Sequence, residues 1–176
     1  MGLNFFKKAG AKKQAAKLNE SLLNAAKNGN IAGVKEALEN GANVNTKDNK
    51  GMTPLMYTSV NGQTAAVKLL IENGANINEK SNDGWTALIR VSFEGYIDVV
   101  KLLIENGADV NIKANDGITA LMAASYRKYA DVVKLLIESG VDVNAKDKYG
   151  KTALMFACQK RCIEIISLLK NAGAKE

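Results

Sequence analysis

A motif returns every 33 residues along this chain, and no other feature constrains its fold as strongly. The stretches "KGMTPLM", "DGWTALI", "DGITALM" and "YGKTALM" place Gly51, Gly84, Gly117 and Gly150 at that constant spacing. Thr53, Thr86, Thr119 and Thr152 follow in the same register, and "IENGANIN", "IENGADVN" and "IESGVDVN" form a second anchor. Extending the register backwards aligns residues 20–45 without a gap, as a first repeat lacking the leading loop. A fixed period of this length is the signature of a stacked repeat array, because one short supersecondary unit cannot bury its own apolar face.

The local chemistry of a repeat follows from its residues. Thr53 can cap a helix by accepting a backbone N–H, and Pro54, the only proline, suits the first helical position, where no hydrogen bond is lost. Gly29, Gly62 and Gly95 end that first helix. A second helix is predicted to begin near Asp98, Asp131 or Glu164, acids that favour the positive end of its dipole. It runs through "VVKLLIEN" and stops at Gly41, Gly74, Gly107, Gly140 or Gly173 in the left-handed conformation. Leu69, Leu102 and Leu135 become Glu36 in the first repeat, and Ile71, Ile104 and Ile137 become Lys170 in the last. Such polar replacements suit terminal repeats that face water, so the expected array has five members: about 18–47, 48–80, 81–113, 114–146 and 147–176. Residues 1–17 precede it as a basic segment, helical or frayed, with covering the open end of the first repeat as its expected role.

The motifs "GMTPLM", "GWTALI" and "NGADVN" resemble those of ankyrin repeats over about residues 18–176. The resemblance implies an all-α repeat fold, an ankyrin-type α-solenoid of paired antiparallel helices with β-hairpin-like loops. It also implies partner binding through those loops and the concave face of the first helices, without catalysis. The family's "TPLH" histidine is replaced here by Met56, Ile89, Met122 and Met155, which predicts apolar ladders at that register. Lys128 and Arg161 stand where the interhelical glycine is expected in the last two repeats, which predicts strained or reshaped turns.

Composition excludes several function classes. The chain is 47% apolar and 24% charged, with no histidine and two cysteines. No apolar run reaches the ~18–20 residues of a membrane span, and Lys7 and Lys8 interrupt the stretch where a secretory signal would have its apolar centre. The expected location is therefore cytoplasmic. Of the 24 basic residues, five lie at Lys7, Lys8, Lys12, Lys13 and Lys17, which leaves 19 against 18 acidic ones in a nearly neutral body. The +6 net charge thus belongs to the amino-terminal segment, and a domain-wide nucleic-acid face is not expected. Cys158 and Cys162 cannot make a disulfide framework and lack further ligands for a metal; a buried, reduced thiol is the expected state of Cys158. No cofactor site, metal site or catalytic constellation emerges, so the chain is not expected to be an enzyme.

Candidate binding residues come from helix geometry. Counted from each Thr, positions +2, +5, +6 and +9 share the packed side, leaving +4, +7 and +8 opposite. At +4 stand Tyr57, Arg90, Ala123 and Phe156; at +7, Val60, Phe93, Tyr126 and Gln159. Met52, Trp85, Ile118 and Lys151 immediately precede each Thr on the loop, and Arg127 and Lys160 occupy +8 in the last two repeats. These positions vary between repeats while the core positions barely change, so packing does not dictate them. Met52, Tyr57, Val60, Trp85, Arg90, Phe93, Ile118, Tyr126, Arg127, Lys151, Phe156 and Lys160 are the candidate partner-binding set. The competing expectation is that Trp85 and Phe93 merely cover the groove between neighbouring loops and helices. Arg127, Lys128, Lys160 and Arg161 are expected to cluster beside Arg90 and Lys151, so the expected partner is a protein with an apolar centre and an acidic flank. Lys47, Lys80, Lys113 and Lys146 recur beside loop aspartates and are expected to be solvated and self-compensating. The alternative function is electrostatic recruitment to an anionic membrane or nucleic acid through the amino-terminal segment, including Leu3, Phe5 and Phe6, together with the carboxy-terminal cations.

Overall fold

A computed structural model describes residues 2–175, with side chains from Gly10 onward, and these residues form ten α-helices and no strand. The chain divides into two compact bodies, Met1–Asn76 and Ile77–Glu176. The amino-terminal body holds α1 (Gly2–Lys27), α2 (Ile31–Glu39), α3 (Pro54–Val60) and α4 (Thr64–Glu72). The carboxy-terminal body holds α5 (Ala87–Glu94), α6 (Ile97–Glu105), α7 (Ala120–Arg127), α8 (Ala130–Glu138), α9 (Ala153–Gln159) and α10 (Ile163–Asn171).

Each repeat starts its first helix as the residues dictate. The Oγ1 atoms of Thr53, Thr86, Thr119 and Thr152 each accept the backbone N–H three residues on, at 3.3 Å. The loop before each Thr is hairpin-like without becoming a strand pair. Two backbone bonds close it: one from Asp48 N to Met52 O, Ser81 N to Trp85 O, Ala114 N to Ile118 O or Asp147 N to Lys151 O, and one from Gly51 N to Asp48 O, Gly84 N to Ser81 O, Gly117 N to Ala114 O or Gly150 N to Asp147 O. Left-handed geometry recurs after the first helix of each pair, and here Lys128 (φ 67°) and Arg161 (φ 53°) adopt it in place of glycine. That conformation costs a residue with a Cβ about 1–2 kcal/mol, so these two turns are strained as expected.

Helix pairs stack within each body. In the carboxy-terminal body α5 packs on α7 and α7 on α9, while α6, α8 and α10 form the second layer. The core between the layers is Leu88, Ile89, Val100, Leu103, Leu121, Met122, Val133, Leu136, Ile165 and Leu169, all at most 2% exposed. The predicted apolar ladder is therefore present at Ile89 and Met122. The loops are stitched to one another as well. Asn115 N donates to Asp83 O at 3.1 Å and Lys148 N to Asp116 O at 2.9 Å. A Cβ on Gly117 would come within 2.7 Å of the Asp147 backbone, so only glycine allows that approach.

An asparagine ladder ties the closures together. Asn78 Oδ1 accepts from Asp109 N while its Nδ2 donates to Gly107 O, and Asn144 does the same with Lys175 N and Gly173 O. In the amino-terminal body Asn45 bridges Asn76 N and Gly74 O. The periodic lysines serve a related purpose: Lys80 Nζ donates to Lys113 O at 2.9 Å and Lys113 Nζ to Lys146 O at 3.2 Å. They reach 33 residues forward to a carbonyl, so simple solvation does not describe them.

Two expectations about the ends change. At 26 residues α1 is far longer than the nine-residue α2 it packs against, so at ~1.5 Å per residue its first turns outrun their neighbours. Every side chain from Gly10 to Lys17 is exposed, and burial begins only around Leu22. Residues 10–17 therefore do not cover the first repeat; Leu3, Phe5, Phe6, Lys7 and Lys8 lie outside the residues whose side chains are described. At the other end Cys158 is exposed, not buried. Its register partners Ser92 and Ser125 are 0% exposed because the following repeat stacks on them, whereas no repeat follows Cys158 among the described residues. Met155, 41% exposed, departs from Ile89 and Met122 for the same reason.

Candidate functional site: an aromatic strip with its own cations

The candidate residues fall into different environments. Met52 is 8% exposed and belongs to the core, which corrects the expectation that it faces outward. Its amide donates to Asp48 Oδ1 at 2.9 Å, but Lys151 makes the same bond to Asp147 and stays exposed, so the apolar thioether and not the turn accounts for the burial. Tyr57, on the same loop-and-helix unit, is half-buried and donates its hydroxyl to Asp48 Oδ2 at 2.6 Å. Val60 is half-buried at the end of α3. Burial acts to raise the Asp48 carboxyl, but the Tyr57 hydroxyl, the amides of Met52 and Lys50 and the Lys50 charge outweigh it and hold the group below its ordinary range.

The other candidates share the carboxy-terminal body. Arg90 is not a free cation: its Nη2 contacts both Asp83 oxygens, at 2.9 and 3.0 Å, and Ser81 Oγ at 2.9 Å. Burial again pushes the Asp83 carboxyl up, and the Ser81 hydroxyl, the Trp85 amide and the Arg90 guanidinium bring it below the usual value. The arginine is 20% exposed and lies 5.5 Å from the Trp85 ring centre, so it orients that ring.

Four aromatic rings run across α5, α7 and α9. Trp85 meets Phe93 edge-on at 5.9 Å, Phe93 stacks on Tyr126 at 6.5 Å, and Tyr126 meets Phe156 edge-on at 6.0 Å. These separations lie in the favourable range for aromatic pairs, each worth ~0.5–1.5 kcal/mol beyond its area. Trp85, Phe93, Ile118 and Phe156 are half-buried, as Tyr57 and Val60 are, and Tyr126 is 38% exposed. With the buried Met122 and Ala123 beneath them, these side chains enclose a hollow of about 190 Å³. Ala123 opens that hollow, since Tyr57, Arg90 and Phe156 fill the same register elsewhere.

The expected basic cluster is instead distributed along the strip. Arg127 lies 4.7 Å from the Phe93 ring centre and donates Nε to Phe93 O at 3.1 Å. Lys160 Nζ sits 3.8 Å above Tyr126, and Lys151 Nζ 5.8 Å from Phe156. A cation at +8 of one repeat thus covers the ring at +7 of the preceding one. Lys128 and Arg161 are exposed at their left-handed turns. This pairing was not foreseen from the residues, although the 34-residue spacing of Phe93 with Arg127 and Tyr126 with Lys160 carries it. Among the described residues, no group of three or more metal-ligating side chains converges, and no helix is long and apolar enough to cross a membrane.

No curated protein matches the chain. The family model for ankyrin repeats (3 copies) matches residues 22–114 and again 112–176. Ankyrin repeats are generally protein–protein interaction modules and typically carry no catalysis. The 33-residue period, the threonine-capped helix pairs, the looped closures and this match agree that the chain belongs to the ankyrin-repeat family.

Proposed function

We propose that the chain is a protein-binding scaffold that engages its partner through the concave face of the first helices and the hairpin-like loops of its carboxy-terminal body. Trp85, Phe93, Ile118, Tyr126 and Phe156 form the apolar centre, while Arg127, Lys151 and Lys160 face an acidic flank of the partner. The observation that carries this reading is the run of four touching rings left partly open to water around one hollow. Stacking alone does not require four aromatic side chains at positions that the other repeats fill differently. Aromatic and arginine side chains are also those most often worth ~2 kcal/mol or more at an interface.

The test compares Tyr126→Ala and Phe156→Ala with Tyr149→Ala, which removes a ring that is 74% exposed and lies outside the strip. Each variant is used for affinity capture from the native cell, and its melting temperature is measured. The strip variants should lose a partner that the Tyr149 variant keeps, with only a few degrees' change in melting. Equal capture by all three variants, or collapse of the strip variants' fold, would refute the assignment.

A second reading is recruitment to an anionic membrane or nucleic acid. It is favoured by the exposure of Lys12, Lys13 and Lys17 along α1. Against it, Ala16 lies on the same side of α1 as Lys12 and Lys13, four and three residues before it, so apolar and polar residues do not sort into separate faces. Deleting residues 1–17 should abolish salt-sensitive binding to anionic vesicles or DNA if this reading holds. No salt-sensitive binding by the full chain would dismiss it.

A further inference from the structure

We infer that the strip selects an acidic peptide segment carrying one large apolar side chain, and rejects ammonium and methylammonium groups despite its aromatic lining. This deepens the scaffold reading above and rests on it. Clustered aromatic rings ordinarily suit cationic ligands, because a ring face attracts positive charge. Here each ring is already served by a cation of the chain: Arg90 at Trp85, Arg127 at Phe93, Lys160 at Tyr126 and Lys151 at Phe156. An incoming ammonium group would meet like charge a few ångströms away.

The charge balance points the same way. Arg90 is neutralised by Asp83, but among the described residues no carboxylate lies within 4.0 Å of Arg127, Lys151 or Lys160. The hollow thus has an apolar interior and three uncompensated cations at its margin. Such a site complements an apolar anchor flanked by carboxylates. The hollow of about 190 Å³ accommodates one side chain of leucine or phenylalanine size, and Ala123 sets that limit. An anchor without flanking acids would leave the cations unmatched, and acids without an anchor would leave the hollow filled with water.

Trp85 is the only tryptophan, so its fluorescence reports occupancy directly. The probes are short acetylated peptides with a central Phe flanked by Asp and Glu. They are compared with versions carrying a central Ala, Lys flanks, phosphoserine flanks or a central trimethyllysine. The acidic Phe peptide should change Trp85 emission and bind about tenfold or more tightly than the Ala-centred and Lys-flanked versions. Lys151→Glu combined with Lys160→Glu, both surface changes, should reverse the flank preference. Ala123→Leu should fill the hollow and weaken the Phe peptide selectively, with the melting temperature as control.

Three results would overturn the inference. These are no response to the acidic Phe peptide up to millimolar concentration, equal or tighter binding of the Lys-flanked or trimethyllysine peptide, and a flank preference untouched by charge reversal. Tighter binding with phosphoserine flanks would reassign the flank chemistry to phosphate and overturn the carboxylate assignment. A native partner captured through Tyr126 without any preference for acidic peptides would leave the scaffold reading standing while this inference fails.

Discussion

The loop and first helix at Asp48–Val60 and those at Asp147–Gln159 have almost the same construction and different surfaces. In both, the aspartate accepts two backbone amides: Lys50 and Met52 at 2.9 Å in one, Tyr149 and Lys151 at 2.8 Å in the other. In the amino-terminal body the Tyr57 hydroxyl then closes on Asp48, and Met52 turns inward. In the carboxy-terminal body Phe156 has no hydroxyl to donate, so its ring meets Tyr126 and joins the strip. The residue before the capping threonine is there Lys151, which stays outside and lies against Phe156. One phenolic oxygen and one loop side chain separate a ring tied to its own loop from a ring that joins its neighbours, on a backbone and core that are otherwise repeated.

The largest effect tests whether the cores are in fact alike. Leu70 and Leu103 occupy the same register and are each 0% exposed, so Leu70→Ala and Leu103→Ala should each cost ~2–5 kcal/mol in denaturant unfolding. Losses that differ by more than that range would break the comparison at the level of packing.

Next is the surface itself. Tyr126→Ala should weaken partner binding by ~2 kcal/mol or more while changing the unfolding midpoint little, and Tyr57→Ala should leave binding of the same partner unchanged. Calorimetric titration with the captured partner distinguishes them. If Tyr57→Ala were equally damaging to binding, the ring tied to its loop would have to be counted as functional.

The turn at Lys128 gives a smaller effect of opposite sign. Lys128→Gly should stabilise the chain by ~1 kcal/mol, seen as a higher melting temperature, because glycine adopts its φ of 67° without strain. Gly95→Ala should do the reverse, since a Cβ there would meet the Tyr129 ring at 2.7 Å.

The smallest effect is in acid. Asp48 and Asp83 both titrate below their ordinary range in the folded chain. Their contribution to stability is therefore complete above the unfolded carboxyl value of ~3.9 and is lost as pH falls through the lowered folded values. Tyr57→Phe removes one of the hydrogen bonds that lower Asp48, so it should cost ~1 kcal/mol near neutrality and make the acid limb of a pH titration shallower. An unchanged acid limb would show that the Tyr57 bond does not tie the ring to its loop.

The sequence carried the repeat and its local chemistry well. Thr53, Thr86, Thr119 and Thr152 act on amides three residues away, and the glycines answer to their own backbone angles, so neighbours along the chain suffice to read them. The unusual turns at Lys128 and Arg161 were legible for the same reason. Met52 and Cys158 were misjudged because side-chain exposure depends on tertiary packing, which takes up the apolar thioether of Met52 and leaves Cys158 exposed among the described residues. Arg90 entered the candidate binding set by its register on the helix, whereas Asp83 and Ser81 hold its guanidinium from the preceding loop. The amino-terminal segment was expected to cover the first repeat, but residues 10–17 extend past their neighbours.

What the sequence determined by itself is the helix pair, its period and its apolar register, because these depend on contacts within a few residues and on a pattern repeated often enough to be unmistakable. Which outward side chains stay available was decided only by the tertiary structure. Ring meets ring, cation meets ring and carboxylate meets guanidinium across loops and repeats, and those distances exist only once the helices have stacked.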